Sequence, residues 1–433
     1  MSKLQPGCLS QAVSRSVVIA MVFLCLFLDN FSLYMLAPIL DDVVAITGST
    51  KENATMLYCI KPIIALPFSI VTGKFVSLIG PRFTAGIGIA CFFTCCWVNA
   101  IAGSIWTWAI ARVIQSIGSA LTVGAGMYLI GLVTDETNRG KYMGLAYAGN
   151  ALGVFAGPFV GSWLFHTHGQ FIVYSSLSSL AAVQLALFLV LAFDKSDTFS
   201  PSKVKCDKTP FRIWKLLLSN RRMICLMIAA GSACTVLGLV EPVLPHLIKS
   251  RFRLSDPEVD NLWACGTLFY PLTVPLAGYL SDCLPRHRLL QIGLIGFACV
   301  LPLWSVICDY EWGVRIYLAL IFSLDAVVDA PVQPLIASVV EGLGLTEGGS
   351  IGFTLGDMAQ NFGYLVGPFL SREVNETGDP QVLMLIMASW FVAVLIIVSI
   401  GFLRWHVPHE EPVKADKMEK AESSTTTVES ADV

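Results

Sequence analysis

Twelve apolar stretches dominate this 433-residue chain, each about the ~20 residues that an α-helix needs to cross a bilayer. They fall near 17–40, 57–79, 83–103, 107–133, 143–165, 171–193, 223–248, 261–281, 288–308, 313–340, 350–371 and 382–404. Lipid offers no hydrogen bonds, so such segments must satisfy their backbone groups internally, as helices do. Composition agrees: 55% of residues are apolar and 14% charged, against about 25% charged in soluble domains. The expected fold is that of an all-α membrane protein. A net charge of −3 offers no basic surface for nucleic acid. The first stretch follows a short polar segment and runs to Pro38 without a small-residue cleavage site, so it reads as a retained helix and not a signal peptide.

An even number of spans puts both termini on one side. With the termini in the cytosol, 20 of the 28 Lys and Arg fall in cytosolic segments and 6 in the opposite loops, the positive-inside pattern. Two loops run against it: 341–349 has no cation, and Lys249, Arg251 and Arg253 sit on the far side. Sequons at Asn53 and Asn375 fall in exoplasmic loops and are candidate glycosylation sites, whereas one at Asn30 is buried mid-span. The 13 cysteines show neither exoplasmic pairing nor metal-ligand spacing; buried packing accounts for them.

Residues 194–222 hold eight cations and divide the spans six and six. The expected organisation is a cytosolic N-terminus (1–16), a bundle (17–193), a basic linker (194–222), a second bundle (223–404) and a disordered polar tail (405–433). The halves repeat. Pro38 returns as Pro242 at an offset of 204, Gly73 as Gly278 at 205, and Gly153-x-x-x-Gly157-Pro158 as Gly363-x-x-x-Gly367-Pro368 at 210. Repeated halves around a midplane site are the design of an alternating-access carrier.

An ionisable group deep in a span costs about 2.5–3.5 kcal/mol on insertion scales, and marks a functional candidate by default. Five acids lie there, Asp29, Glu241, Asp325, Asp329 and Asp357, against two bases, Lys61 and Arg112. A transported organic cation, protons, or both would supply the missing positive charge. An organic-anion carrier would show the reverse balance. No nucleophile–base arrangement, metal spacing or phosphate loop suggests an enzyme, and no cofactor is expected.

From residue 17 to 404 the chain resembles the major facilitator superfamily. Gly153-x-x-x-Gly157-Pro158-x-x-Gly161 is similar to the fifth-helix signature of its drug/proton antiporters, where small residues let helices approach and Pro158 bends one. Arg112 to Gly118 resembles the family's fourth-helix motif. The loop motif that follows Gly73 has Ser77 where an acid is usual, whereas its copy after Gly278 keeps Asp282.

Local strings narrow the resemblance to the vesicular amine transporters. They are Leu28-Asp29-Asn30, Leu57-Tyr58-Cys59-Ile60-Lys61, Glu241-Pro242-x-Leu244-Pro245, Asp329 with Pro334 and Glu341, and Asp357 with Gly363-Tyr364. Tyr270 and Gly278 agree in helix 8. The resemblance implies a twelve-helix fold in two six-helix repeats, working as a single transport unit in a secretory or synaptic vesicle membrane. It implies that a cationic amine enters an acidic lumen in exchange for protons. Asp29 and Glu241 would grip the ammonium, with Asn30 supporting Asp29 or capping a local helix distortion. Asp329 would carry the proton, and Lys61 with Asp357 would form an interior ion pair, working or purely structural. Tyr58, Tyr270 and Tyr364 would offer ring faces to the ammonium, unless they merely pack. Arg112 would tie helix 4 to its neighbours.

Three departures stand out. Asp325, one turn before Asp329, occupies a usually apolar position. Cys234 replaces an amide used by monoamine carriers, and helix 6 lacks an acid near Leu180. Two other functions stay open: a plasma-membrane multidrug/proton antiporter of the same superfamily, and a non-transporting amine sensor.

Overall fold

The computed structural model describes residues 11–192, 210–345, 349–377 and 380–402, which form helices and turns with no strand among them. The first half holds α1 (Gln11–Tyr34), α2 (Leu40–Thr47), α3 (Lys51–Ile79), α4 (Pro81–Ala100), α5 (Ile105–Val133), α6 (Arg139–Ala156) and α7 (Ser162–Ala192). After α8 (Pro210–Leu218), the second half holds α9 (Arg221–Phe252), α10 (Asp256–Thr267), α11 (Tyr270–Cys283) and α12 (Arg286–Val300). It continues with α13 (Trp304–Ile307), α14 (Glu311–Gly342), α15 (Gly349–Thr377) and α16 (Pro380–Phe402).

Eight helical stretches are long and apolar enough to cross a membrane. One of them, Glu136–Leu189, reverses at Gly169, whose φ of 79° lies in the left-handed region open to glycine, and so holds two passes. The other three passes are α10–α11, α14 and α15, all in the second half and together carrying Tyr270, Asp325, Asp329 and Asp357. Twelve passes result.

Local chemistry sets the turns. Gly80 (φ 87°) with Pro81 at the first position of α4 makes the link from α3 almost loopless. Ser104 and Thr107 form a capping box at the start of α5. One expectation needs correction: Pro38 lies outside the first helix, which stops at Tyr34. Proline lacks an N–H and disfavours helical geometry in the residue before it, so the chain turns and restarts as α2. The segment 42–56, expected as an exoplasmic loop, is therefore mostly helical. Asn53 is exposed in the first turn of α3, and Asn375 falls in the last turn of α15, so neither sequon sits in an open loop. The basic linker also contains structure: α8 packs on α9 and α15 through buried Ile213 and Leu217, leaving Arg212 and Lys215 exposed. The polar tail 405–433 and residues 194–209 lie outside the described residues.

Glycines bring the helices together. A Cβ on Gly153 would lie 2.6 Å from the Phe27 carbonyl oxygen, and one on Gly157 2.8 Å from that of Phe31, so α6 and the π-turn 157–161 lie directly on the α1 backbone. Pro158 sits within that π-turn, a bulge of the kind that bends helices. The second half repeats the contact: Gly363 meets the Gly231 backbone and Gly367 that of Gly238, joining α15 to α9. The halves also meet, along with contacts higher in the bundle, at the end where α1 begins and α16 finishes. There Gly144 lies against Gly278, and Gly73 against Ile351. Asp282 accepts from the N–H groups of Gly140 (2.9 Å) and Lys141 (2.7 Å) at the start of α6, where the helix dipole favours an anion. It also pairs with Arg286 at 3.1 Å, while Arg139 pairs with Glu341 at 2.7 Å.

Candidate functional site

Midway along the bundle, apolar helices carry a small set of polar side chains, and these sort into two clusters. The first surrounds Asp29 on α1. Its Oδ2 pairs with Lys61 Nζ of α3 at 2.8 Å and accepts from Ser119 Oγ at 2.7 Å. Its Oδ1 accepts from Gln115 Nε2 at 2.9 Å, and the same amide reaches the Asp29 carbonyl. Arg112, fully buried, donates to Gln115 Oε1 and to the Ser32 carbonyl on α1. Gln115 thus bridges the arginine to the aspartate, and α5 is pinned to α1.

Two expectations change here. Lys61 pairs with Asp29 and not with Asp357; the two acids lie near each other, but Asp357 Oδ2 is taken by Ser69 Oγ at 2.7 Å. Asn30 donates to the Leu26 carbonyl one turn back, and so bonds its own helix instead of Asp29. A mid-helix asparagine that reaches its i−4 carbonyl follows the usual competition between side chain and backbone.

The second cluster belongs to α9, α14 and α15. Among the described residues, no Lys or Arg stands within ion-pairing distance of Glu241, Asp325, Asp329 or Asp357. Each acid is met instead by a neutral donor. Tyr34 Oη of α1 donates to Glu241 Oε1 at 2.7 Å, and lies 3.1 Å from Tyr364 Oη. Tyr270 Oη donates to Asp325 Oδ2 at 3.0 Å and accepts from Asn150 of α6 at 3.4 Å. Gln360 Nε2 donates to Asp329 Oδ2 at 3.0 Å, and its carbonyl oxygen accepts from Tyr147 of α6 at 3.2 Å. All four acids of the second half are therefore tied, directly or through one neutral side chain, to the first half.

Asp325 and Asp329 are 1% and 7% exposed, one turn apart on the same face of α14. Each has an Oδ1 that is buried with no hydrogen-bond partner among the described residues. Tyr58 makes no hydrogen bond to the acids: it packs against the cluster that holds Leu57, Phe31 and Trp108, and its buried hydroxyl has no partner among the described residues. Tyr34, Ser69, Tyr147, Asn150 and Gln360 were not anticipated. Their only sequence signal is polarity within an apolar span, which many packing residues share.

A burial this unbalanced favours two things chemically. An ionised carboxylate without a counter-ion is expensive to keep in a low-dielectric interior, so these acids attract protons or a soluble cation. The tyrosines beside them supply hydroxyls and ring faces suited to an ammonium.

The family model for the Major Facilitator Superfamily matches the chain twice, over residues 22–255 and 226–430, in keeping with the duplicated halves. The chain is 22% identical over 395 residues to a vesicular acetylcholine transporter of Drosophila melanogaster, covering 84% of this chain and 67% of that protein. It is 26% identical over 369 residues to the human synaptic vesicular amine transporter, covering 81% and 66%. The matches thus span about two thirds of these relatives' length. Two solved structures share the fold. One is the proton:xylose symporter XylE, with a TM-score of 0.72, 14% identity, and coverage of 91% of this chain and 97% of that one. The other is the human organic anion transporter MFSD10, with a TM-score of 0.68, 15% identity, and coverage of 89% and 99%. Twelve passes, duplicated halves, glycine-locked helix pairs and the two-fold family match together place this chain in the major facilitator superfamily of membrane transporters, as a divergent relative of the vesicular amine transporters.

Proposed function

We propose that this protein is a proton-coupled antiporter, carrying a cationic amine from the cytosol into an acidic vesicle lumen by alternating access. One observation carries the reading: four interior acids of the second half are capped by neutral donors and lack a basic partner among the described residues. Protons neutralise them in the substrate-free protein. A bound ammonium takes over that role and releases a proton, and by linkage protonation from the acidic side expels the amine. Asp329 is the proton carrier of this scheme. Glu241, flanked by Tyr34 and Tyr364 where the halves meet, is the principal ammonium ligand. Asp29 joins it only when Lys61 lets go.

The named relatives carry acetylcholine or amines in vesicles, which supports this substrate class and location. Both termini face the cytosol in this scheme, a placement supported by the 20 to 6 division of cations.

Reconstitution into proteoliposomes with an acidic interior tests the proposal. A panel of radiolabelled primary and quaternary amines is offered outside. Accumulation of at least one, abolished by a protonophore, is the expected outcome. Binding of amines with no gradient-driven accumulation of any of them would point to a sensor and end the antiport reading.

A further inference from the structure

Cys234 and Asp325 are two positions at which this chain departs from the strings it otherwise shares with the vesicular amine transporters, and the fold brings them together. Cys234 is a free, buried cysteine on α9. One ligand atom from each of Cys234, Asp325 and Asp329 lies within 4.8 Å of the other two. The geometry points to a binding site for a single zinc-class divalent cation, formed by the Cys234 thiolate and the two α14 carboxylates.

Three features of the cluster support it. First, both carboxylates are half used. Tyr270 holds Asp325 Oδ2 and Gln360 holds Asp329 Oδ2, while each Oδ1 is buried without a partner among the described residues. A donor on one oxygen with the other left to ligate is the way outer partners orient metal-binding carboxylates.

Second, the donor set is selective. One sulfur with two carboxylate oxygens suits a borderline ion such as Zn²⁺ or Cd²⁺, whereas Mg²⁺ and Ca²⁺ take oxygen ligands in larger number. Tetrahedral zinc, with Zn–S of ~2.3 Å and Zn–O of ~2.0–2.2 Å, holds its ligand atoms about 3.5 Å apart. The three atoms, all within 4.8 Å of one another, exceed that spacing by at most about 1.3 Å.

Third, a divalent cation offsets two of the three negative charges of the thiolate and carboxylates, where no basic partner stands among the described residues. Asp325 and Asp329 at i and i+4 present both oxygens from one helix face, and Cys234 closes the site from α9, which packs against α14. The bound ion would tie the two helices together.

The test uses the full chain, purified in detergent, with Cys8, Cys59, Cys206, Cys265, Cys283 and Cys299 replaced by serine, which removes six of the twelve other thiols. Calorimetric titration with Zn²⁺ is expected to give one ion per chain. Cys234→Ala and Asp325→Asn should each weaken binding by roughly tenfold or more. Cd²⁺ should produce the ultraviolet thiolate charge-transfer band, lost in Cys234→Ala. Should Cys234→Ala fail to elute as a monodisperse peak, Cys234→Ser serves instead, again losing the Cd²⁺ band. Absence of one-to-one binding, or binding and a Cd²⁺ band that survive these substitutions, would overturn the site. No amine or gradient is present, so this result and the antiport test fail independently.

Discussion

Asp29 and Asp329 are both aspartates buried in the middle of the bundle, yet their surroundings differ in kind. Asp29 has Lys61, Ser119 and Gln115 around its two oxygens, with Arg112 behind the glutamine. Asp329 has one amide on one oxygen and nothing on the other among the described residues. The first half has settled its interior charge within the chain. The second half has left its charge open to whatever arrives. The packing of the two halves is alike, since each joins its first and fifth helices through glycines lying on backbone. The duplication was kept in the scaffold, and the charges diverged.

The comparison can be broken most sharply at Asp29. Asp29→Asn strands the Lys61 charge in the interior, and losing one partner of a buried pair costs about 3–5 kcal/mol. A clear fall in thermal unfolding temperature in detergent is expected, with recovery in the Asp29→Asn/Lys61→Met double variant. An unaffected single variant would mean that Lys61 finds another acid, Asp357 being the nearest choice. Next in size are the glycine contacts. Gly153→Val and Gly363→Val each push a methyl-bearing side chain onto facing backbone, an overpacking worth about 1–3 kcal/mol. Similar losses in both variants would show that the two halves share one packing design.

Tyr34→Phe removes the hydroxyl that joins Glu241 to the first half. With Glu241 neutralised by a proton in the substrate-free protein, the bond counts as a neutral one, and its loss should lower unfolding stability by about 0.5–1.5 kcal/mol. Amine affinity should shift with it, since the same hydroxyl stands beside the proposed ammonium ligand. Smallest is Arg139→Gln at the terminal end. Arg139 is buried but Glu341 is about half exposed, which places the pair near the upper end of the surface range, about 1 kcal/mol. A melting curve close to that of the unsubstituted protein is expected, and a large fall would assign the Arg139–Glu341 pair a structural weight it lacks in this account.

Much of this was legible in the sequence. The twelve passes follow from apolar length alone, and the glycine contacts from a motif that recurs at a near-constant offset. The five interior acids and two interior bases were visible as charges that lipid would not tolerate without cause. What could not be read was who meets whom. Lys61 meets Asp29 and not Asp357 because of how α3 is turned against α1 and α15, which hydropathy does not encode. The neutral donors across the halves, Tyr34, Ser69, Tyr147 and Asn150, lie on helices whose sequence positions say nothing of their distance from α14 or α15. Pro38 gives a different lesson. Its repeat partner Pro242 stays within α9, so the same residue at equivalent places ends one helix and is carried through another.

The account rests on the claim that unpaired second-half acids do the exchanging. Gradient-driven uptake by Asp329→Asn in proteoliposomes, measured with an amine that the unsubstituted protein accumulates, tests it most directly. The amide keeps the side chain's shape and mimics the neutral, protonated acid, so the unfolding temperature should hold. Gradient-driven accumulation should vanish while amine binding persists. Full accumulation by a properly folded Asp329→Asn protein would contradict the account.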